Sequence, residues 1–146
     1  MARRFTLAEA QGLIPRVGEL LREAVDLKSE YQEAEQAVQA ISQRVAMMGG
    51  MMVDRGQAID VRNRRDDVAS KLKTAIEGVQ GFGCVVKDLD MGLIDFPTLL
   101  RGVEVYLCWK LGEPAIAYWH GVDEGFRGRK AIDQDFLDHH RGDLAH

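Results

Sequence analysis

One apolar stripe limits what this chain can fold into more than any other feature. Leu13, Val17, Leu20, Ala24, Leu27, Tyr31, Ala34, Val38, Ile41 and Val45 follow one another with alternating gaps of four and three. That is an a/d pattern over more than four heptads, the mark of a coiled-coil-like helix. At 1.5 Å per residue such a helix is about 50 Å long. No helix of that length buries its stripe alone, so the chain must supply a second apolar surface.

A matching stripe follows. Gly49, Gly50 and Gly56 in "MMGGMMVDRG" break the first helix. Ala58, Val61, Arg65, Val68, Leu72, Ala75 and Val79 then repeat the same spacing, with Arg65 as its one polar member. The reading is an antiparallel helical hairpin over 5–80 with a tip near 47–56. Residues 16–47 carry four basic and six acidic groups, and residues 55–77 carry six basic and four acidic groups. These opposite balances favour the two helices lying together, although each exposed pair contributes well under about 1 kcal/mol. "FTLAEA" is a helix start, with Thr6 as N-cap and Glu9 closing a capping box. Pro15 is expected to kink or restart the helix. Met47, Met48, Met51 and Met52 crowd the tip; they are either a flexible cap or an adaptable partner-binding surface, a use that suits methionine.

Beyond Gly81 the period changes from 3.6 to 2. "FGCVVKDL", "LIDF", "VEVYLCWKL" and "AIAYWHG" read as four strands of an antiparallel meander over 82–121. Pro97 is expected to close the second strand. A tight turn at Gly112 and Glu113 would pair Lys110 with Ala115, Trp109 with Ile116, Leu107 with Tyr118 and Val105 with His120. In that register Cys108 and His120 point to opposite faces. Both faces are largely apolar, so both need cover, one by the helices and one by the C-terminal segment or a second subunit. The remainder, 122–146, reads as an irregular tail with a short helix around "IDQDFLDHH", where Asp135, Asp138 and His139 lie near one another.

The words "FTLAEAQGLIP", "GCVVKDLDMGLIDFP", "VYLCWKLGE", "YWH" and "GFRGRK" resemble the bacterial family called domain of unknown function 2203. The resemblance spans nearly the whole chain and is most specific from Gly83 to Arg129. It implies the architecture just described and supplies no catalytic residues to carry over.

Three functional readings compete. The first is a non-enzymatic binding or assembly module, a homodimer docking a protein partner. The second is a divalent-metal or small-ligand site at the sheet end, built from His120, Asp123 and Asp95, since imidazole with carboxylates is a metal-binding set. Arg127 and Arg129, in a glycine-rich loop, are a candidate anion-binding pair. The third is hydrolysis with Cys84 or Cys108 as nucleophile and His120 as base. Neither cysteine has a neighbour in sequence that would lower its pKa, which weighs against it.

Composition narrows the class. The formal charge of −4 argues against a nucleic-acid binder. The N-terminus has two arginines without an apolar run behind them, unlike a signal peptide. No window approaches the ~20 apolar residues of a membrane helix. With two cysteines read as small buried hydrophobes, a reducing cytoplasm is the expected compartment. The expectation is a single α+β domain, self-associating, with the metal site as the alternative.

Overall fold

The computed structural model describes residues 3–49 and 54–143. Its first half is two helices, α1 over Leu7–Met48 and α2 over Arg55–Gln80. The Thr6 hydroxyl accepts from the Glu9 amide at 3.1 Å and the Glu9 carboxylate accepts from the Thr6 amide at 2.9 Å. The capping box read from sequence is therefore closed. At the other end Gly49 turns the chain in the left-handed region, with φ 62°. Asp54 then caps α2 by accepting from the amides of Gly56 and Gln57. Pro15 lies inside α1 without ending it. A proline removes one hydrogen bond, and the packing on both sides of it outweighs that loss.

The helices run antiparallel. Near the sheet Leu20 faces Gly78, and further out Glu35 Oε2 meets Arg65 Nη1 at 3.7 Å. Arg65, the polar break in the second stripe, thus pairs across the hairpin. Ala24, Leu27, Val68 and Ala75 form a small cluster between the helices, bordered by Tyr31, Leu72 and Ile76.

The second half is a sheet with more strands than the sequence suggests. The strands are β1 (Val85–Asp88), β2 (Leu93–Leu100), β3 (Val103–Lys110), β4 (Tyr118–Gly121), β5 (Lys130–Ala131) and β6 (His140–Arg141). Their order is β1-β2-β3-β4-β5, with β6 pairing back onto β2. β2 does not stop at Pro97. It pairs with β3 along its whole length, and its other edge meets β1 at one end and β6 at the other. Pro97 falls in the gap, where its carbonyl accepts from the Phe5 amide at 2.7 Å. A proline is tolerated there because no strand asks for its missing N–H. Arg101 and Gly102 join β2 to β3 with positive φ at both, 52° and 80°, the requirement of a two-residue hairpin turn that follows the strand twist.

One face of the sheet holds Ile94, Phe96, Val105, Leu107 and Trp109, which pack on Ala10, Val17 and Leu21 of α1 and on Val79 of α2. Phe136, on α3 (Gln134–His139), joins the same core and lies 5.3 Å from Trp119, ring centre to ring centre. The short helix expected in the tail is α3, and the tail is more ordered than expected because Phe136, its one large buried side chain among the described residues, docks it on the core.

The two ends of the described chain are tied together. The Leu7 amide donates to His140 Nε2 at 3.0 Å, and the His140 ring stacks on Phe136. Arg4 and Asp143 exchange two hydrogen bonds, at 3.0 and 3.1 Å. Gly142 fits between them. A Cβ there would stand 2.8 Å from the Thr6 amide nitrogen and 2.9 Å from the Arg4 carbonyl oxygen. Both are backbone atoms with little freedom to move. Gly142→Ala is therefore expected to destabilise the fold by about 1–3 kcal/mol, the usual range for overpacking. Urea unfolding checks this; an unchanged midpoint would mean that the tail does not hold the N-terminus.

Candidate functional site

The register of the β3–β4 pair decides which polar side chains meet. Val105 pairs with Gly121, Tyr106 with His120, Leu107 with Trp119 and Cys108 with Tyr118. This is one residue away from the expected pairing. The connection is the reason. It runs from Leu111 to Ala117 instead of turning at two residues. Trp109 Nε1 donates to the Glu113 carbonyl at 3.1 Å, and the Lys110 amide donates to Glu113 Oε1 at 2.7 Å. The Ile116 amide leaves the ladder and donates to Gln11 Oε1 of α1 at 2.8 Å. A slip of one residue moves every side chain to the other face. His120 therefore lies on the same face as Cys108, and Trp119 turns into the core. The expectation that Cys108 and His120 point apart is overturned.

On that face β2 contributes Asp95, whose partner in β3 is Cys108. The ligand atoms of Asp95, Cys108 and His120 all lie within 4.8 Å of one another. All three side chains are buried, Asp95 completely and His120 with 3% of its surface exposed. His120 Nε2 is 3.0 Å from each Asp95 oxygen, and its Nδ1 is 2.8 Å from the Gly121 carbonyl. That carbonyl fixes the ring: Nδ1 carries a proton, and Nε2 faces the carboxylate and the thiol. A cavity of about 100 Å³ opens onto the three, lined also by Lys87, Leu93, Glu124, Gly125 and Phe126. Residues 124–126 are the cover that the second apolar face needed.

The remaining candidates lie elsewhere. Asp123 is exposed in the turn after β4 and takes no part in the cluster. Arg127 is exposed on a single 3-10 turn at Phe126–Gly128. Arg129 is nearly buried and committed: it donates to Glu113 Oε1 at 2.6 Å and lies over the rings of Tyr118 and Phe126. It ties the strand connection to the chain before β5. Met47 and Met48 are exposed at the end of α1, Met47 at 84%; Met51 and Met52 lie outside the described residues. In the tail, Asp135 pairs with Arg101 and His139.

The thiols are held protonated. Burial pushes Cys84 up to about 11. Burial, reinforced by the Asp95 charge and by a hydrogen bond to Asp95, pushes Cys108 up to about 12 against the opposing charge of Arg129. Burial also raises Tyr106, which lies 5.6 Å from the His120 ring. Outside the cluster, the Lys130 ammonium and the Gly121 amide hold Glu124 below the ordinary carboxylate range. Neither cysteine is a nucleophile near neutral pH without a metal or another cation beside it. Cys108 is the member the sequence reading left out of the metal set; its signal was present, an alternating strand that places it across from Asp95, but only the β2–β3 register reveals it.

The chain belongs to the family described as Uncharacterized conserved protein (DUF2203), whose model matches residues 3–132. No curated protein and no solved structure matches it. No helix is long and apolar enough to cross a membrane, among the described residues.

The buried thiols make a direct prediction. With no metal added, a small thiol reagent at pH 7 should leave both cysteines unmodified over hours in the native protein, and label both at once in denaturant. Rapid native labelling of Cys108 would show its thiol to be ionised and accessible.

Proposed function

We propose that the protein binds a divalent transition metal, zinc foremost, at Asp95, Cys108 and His120. The observation that carries this is the carboxylate of Asp95. It is fully buried on a central strand, and its one charge partner among the described residues is His120. Both of its oxygens meet His120 Nε2 at 3.0 Å and the Cys108 thiol bonds it too, but a buried carboxylate stays costly unless a cation offsets its charge. Among the described residues no lysine or arginine pairs with it. A metal would satisfy it and would bind the neighbouring sulfur and nitrogen together.

The donor set favours zinc. Thiolate and imidazole are soft to borderline ligands, which disfavour calcium and magnesium. A tetrahedral zinc sets its ligand atoms about 3.3–3.8 Å apart, within small side-chain adjustments of the separations here. The His120 Nδ1 contact to Gly121 is the outer hydrogen bond that metal-binding histidines use to fix the ring. Cys108 takes the place that sequence reasoning gave to Asp123.

Elemental analysis and metal titration of the purified protein test this. About one equivalent of zinc is expected. Cys108→Ser and Asp95→Asn should each lower affinity about tenfold or more while the protein stays folded. Affinity should rise with pH, because the bound thiol must shed a proton that it otherwise keeps. A wild-type protein that holds no zinc and takes up none would reduce the cluster to a buried ion pair.

A second reading is self-association through the helical hairpin, as a dimer. It is supported by Val45, Met48 and Ile59, which are 40%, 48% and 58% exposed near the outer end of the hairpin. The opposite charge balances of the two helices would let α1 of one copy lie along α2 of another. Light scattering should then give twice the chain mass, falling towards one when Ile59→Lys is introduced. A compact monomer at high concentration rules this reading out.

A further inference from the structure

The metal site has one position left over, and the cavity beside it has a particular charge. Asp95, Cys108 and His120 supply three ligands. Among the described residues no fourth histidine, cysteine or carboxylate joins them. Glu124 lines the cavity but is occupied: its Oε1 accepts from the Gly121 amide at 2.8 Å and pairs with Lys130. Three protein ligands with an open fourth position are the arrangement of zinc sites that bind an exogenous group, whereas structural sites are closed by four.

Lys87 gives that position its preference. It is exposed at the cavity mouth and forms no ion pair among the described residues; its ammonium lies 5.1 Å over the Tyr106 ring. It is also the extra residue of a β-bulge. Val86 pairs with Ile94 and Asp88 with Leu93, so Lys87 has no partner in the ladder. Bulges re-aim side chains and recur beside binding sites. Among the residues that line the cavity the other charges cancel. A doubly charged metal is neutralised by the Asp95 carboxylate and the metal-bound Cys108 thiolate, and Glu124 is neutralised by Lys130. Of the residues that line the cavity, Lys87 is left as the uncompensated cation, while Lys110 lies further out, over the Phe126 ring. The cavity, about 100 Å³, is small beside the roughly 300–1,000 Å³ of sites for drug-sized ligands, so it suits a ligand of a few heavy atoms.

We propose that the open position takes a small monovalent anion, a short carboxylate or an inorganic anion of similar size, which binds the metal with one atom and faces Lys87 with its charge. This rests on the metal reading above. It makes the site a receptor for a small anion rather than a structural staple.

Cobalt substitution separates the two claims. Co²⁺ should enter the site of the full-length protein and give the visible absorption of a four-coordinate thiolate centre. In chloride-free buffer, acetate and azide should each then shift that spectrum saturably, whereas acetamide, of the same size and neutral, should not. Lys87→Gln should bind Co²⁺ as the wild type does and hold acetate about tenfold more weakly, the loss expected for one charge-assisted contact. A cobalt spectrum insensitive to anions would overturn the inference and leave the metal site standing. Equal shifts in the wild type and Lys87→Gln would overturn the role of Lys87 and with it the stated anion preference. Failure to take up Co²⁺ or Zn²⁺ at all would remove both claims.

Discussion

The packing of the sheet against the first turns of α1 is the constraint on which the rest depends. Ile94, Phe96, Leu107 and Trp109 are buried against Val17 and Leu21, and this contact fixes which face of every strand is inside. Strand residues alternate, so committing one face to the helix commits the other. Asp95 lies between Ile94 and Phe96, and Cys108 between Leu107 and Trp109. Both are thereby driven to the opposite face, opposite one another. The candidate site is a consequence of the hydrophobic core, not an addition to it.

That second face has a thin cover. The segment over it is 124–129, held by Arg129 on Glu113 and by Glu124 on Lys130 and the Gly121 amide. A few side chains suffice to bury three polar groups while leaving a small cavity over them. Burial then has two opposed effects. It holds the cysteine protons on, so the thiols are inert in the protein as it stands, and it leaves His120 as the one charge partner of Asp95 among the described residues. A cation would reverse both at once, because it stabilises the carboxylate and the thiolate together. This is the physical link between an unreactive cluster and a metal centre.

The helical hairpin is a different kind of element. Its inner third belongs to the core, while its outer part is held by alanine-lined contacts and by the Arg65–Glu35 pair. It contributes no side chain to the site. The first and last described segments, by contrast, close the sheet edge: β6 fills part of the edge of β2, and Phe5 fills the gap that Pro97 leaves. A strand with a proline in its middle keeps its place because the N-terminal segment, not another strand, lies beside it.

Much of this was legible in the residues alone, where the signal is local and repeated. The two stripes, the Thr6–Glu9 capping box, the Gly49 helix stop and the change of period after Gly81 specify an α+β chain with a helical hairpin leading into an antiparallel sheet. Asp95 and His120 stood out as polar residues inside apolar strands. What no local signal carries is how distant segments meet. The β3–β4 register depends on Gln11 of α1 capturing the Ile116 amide and on Glu113 folding back onto Lys110, contacts of unlike sequence separation that no strand pattern encodes. That one-residue difference brought Cys108 to His120 and left Asp123 in solvent. The docking of Phe136 and the fit of Gly142 against Thr6 likewise arise only once both ends of the chain share one surface. Sequence by itself determined the elements, because hydrophobic period and capping act within a few residues. Tertiary structure decided the site, because a cluster drawn from three strands exists only when their registers are set by packing.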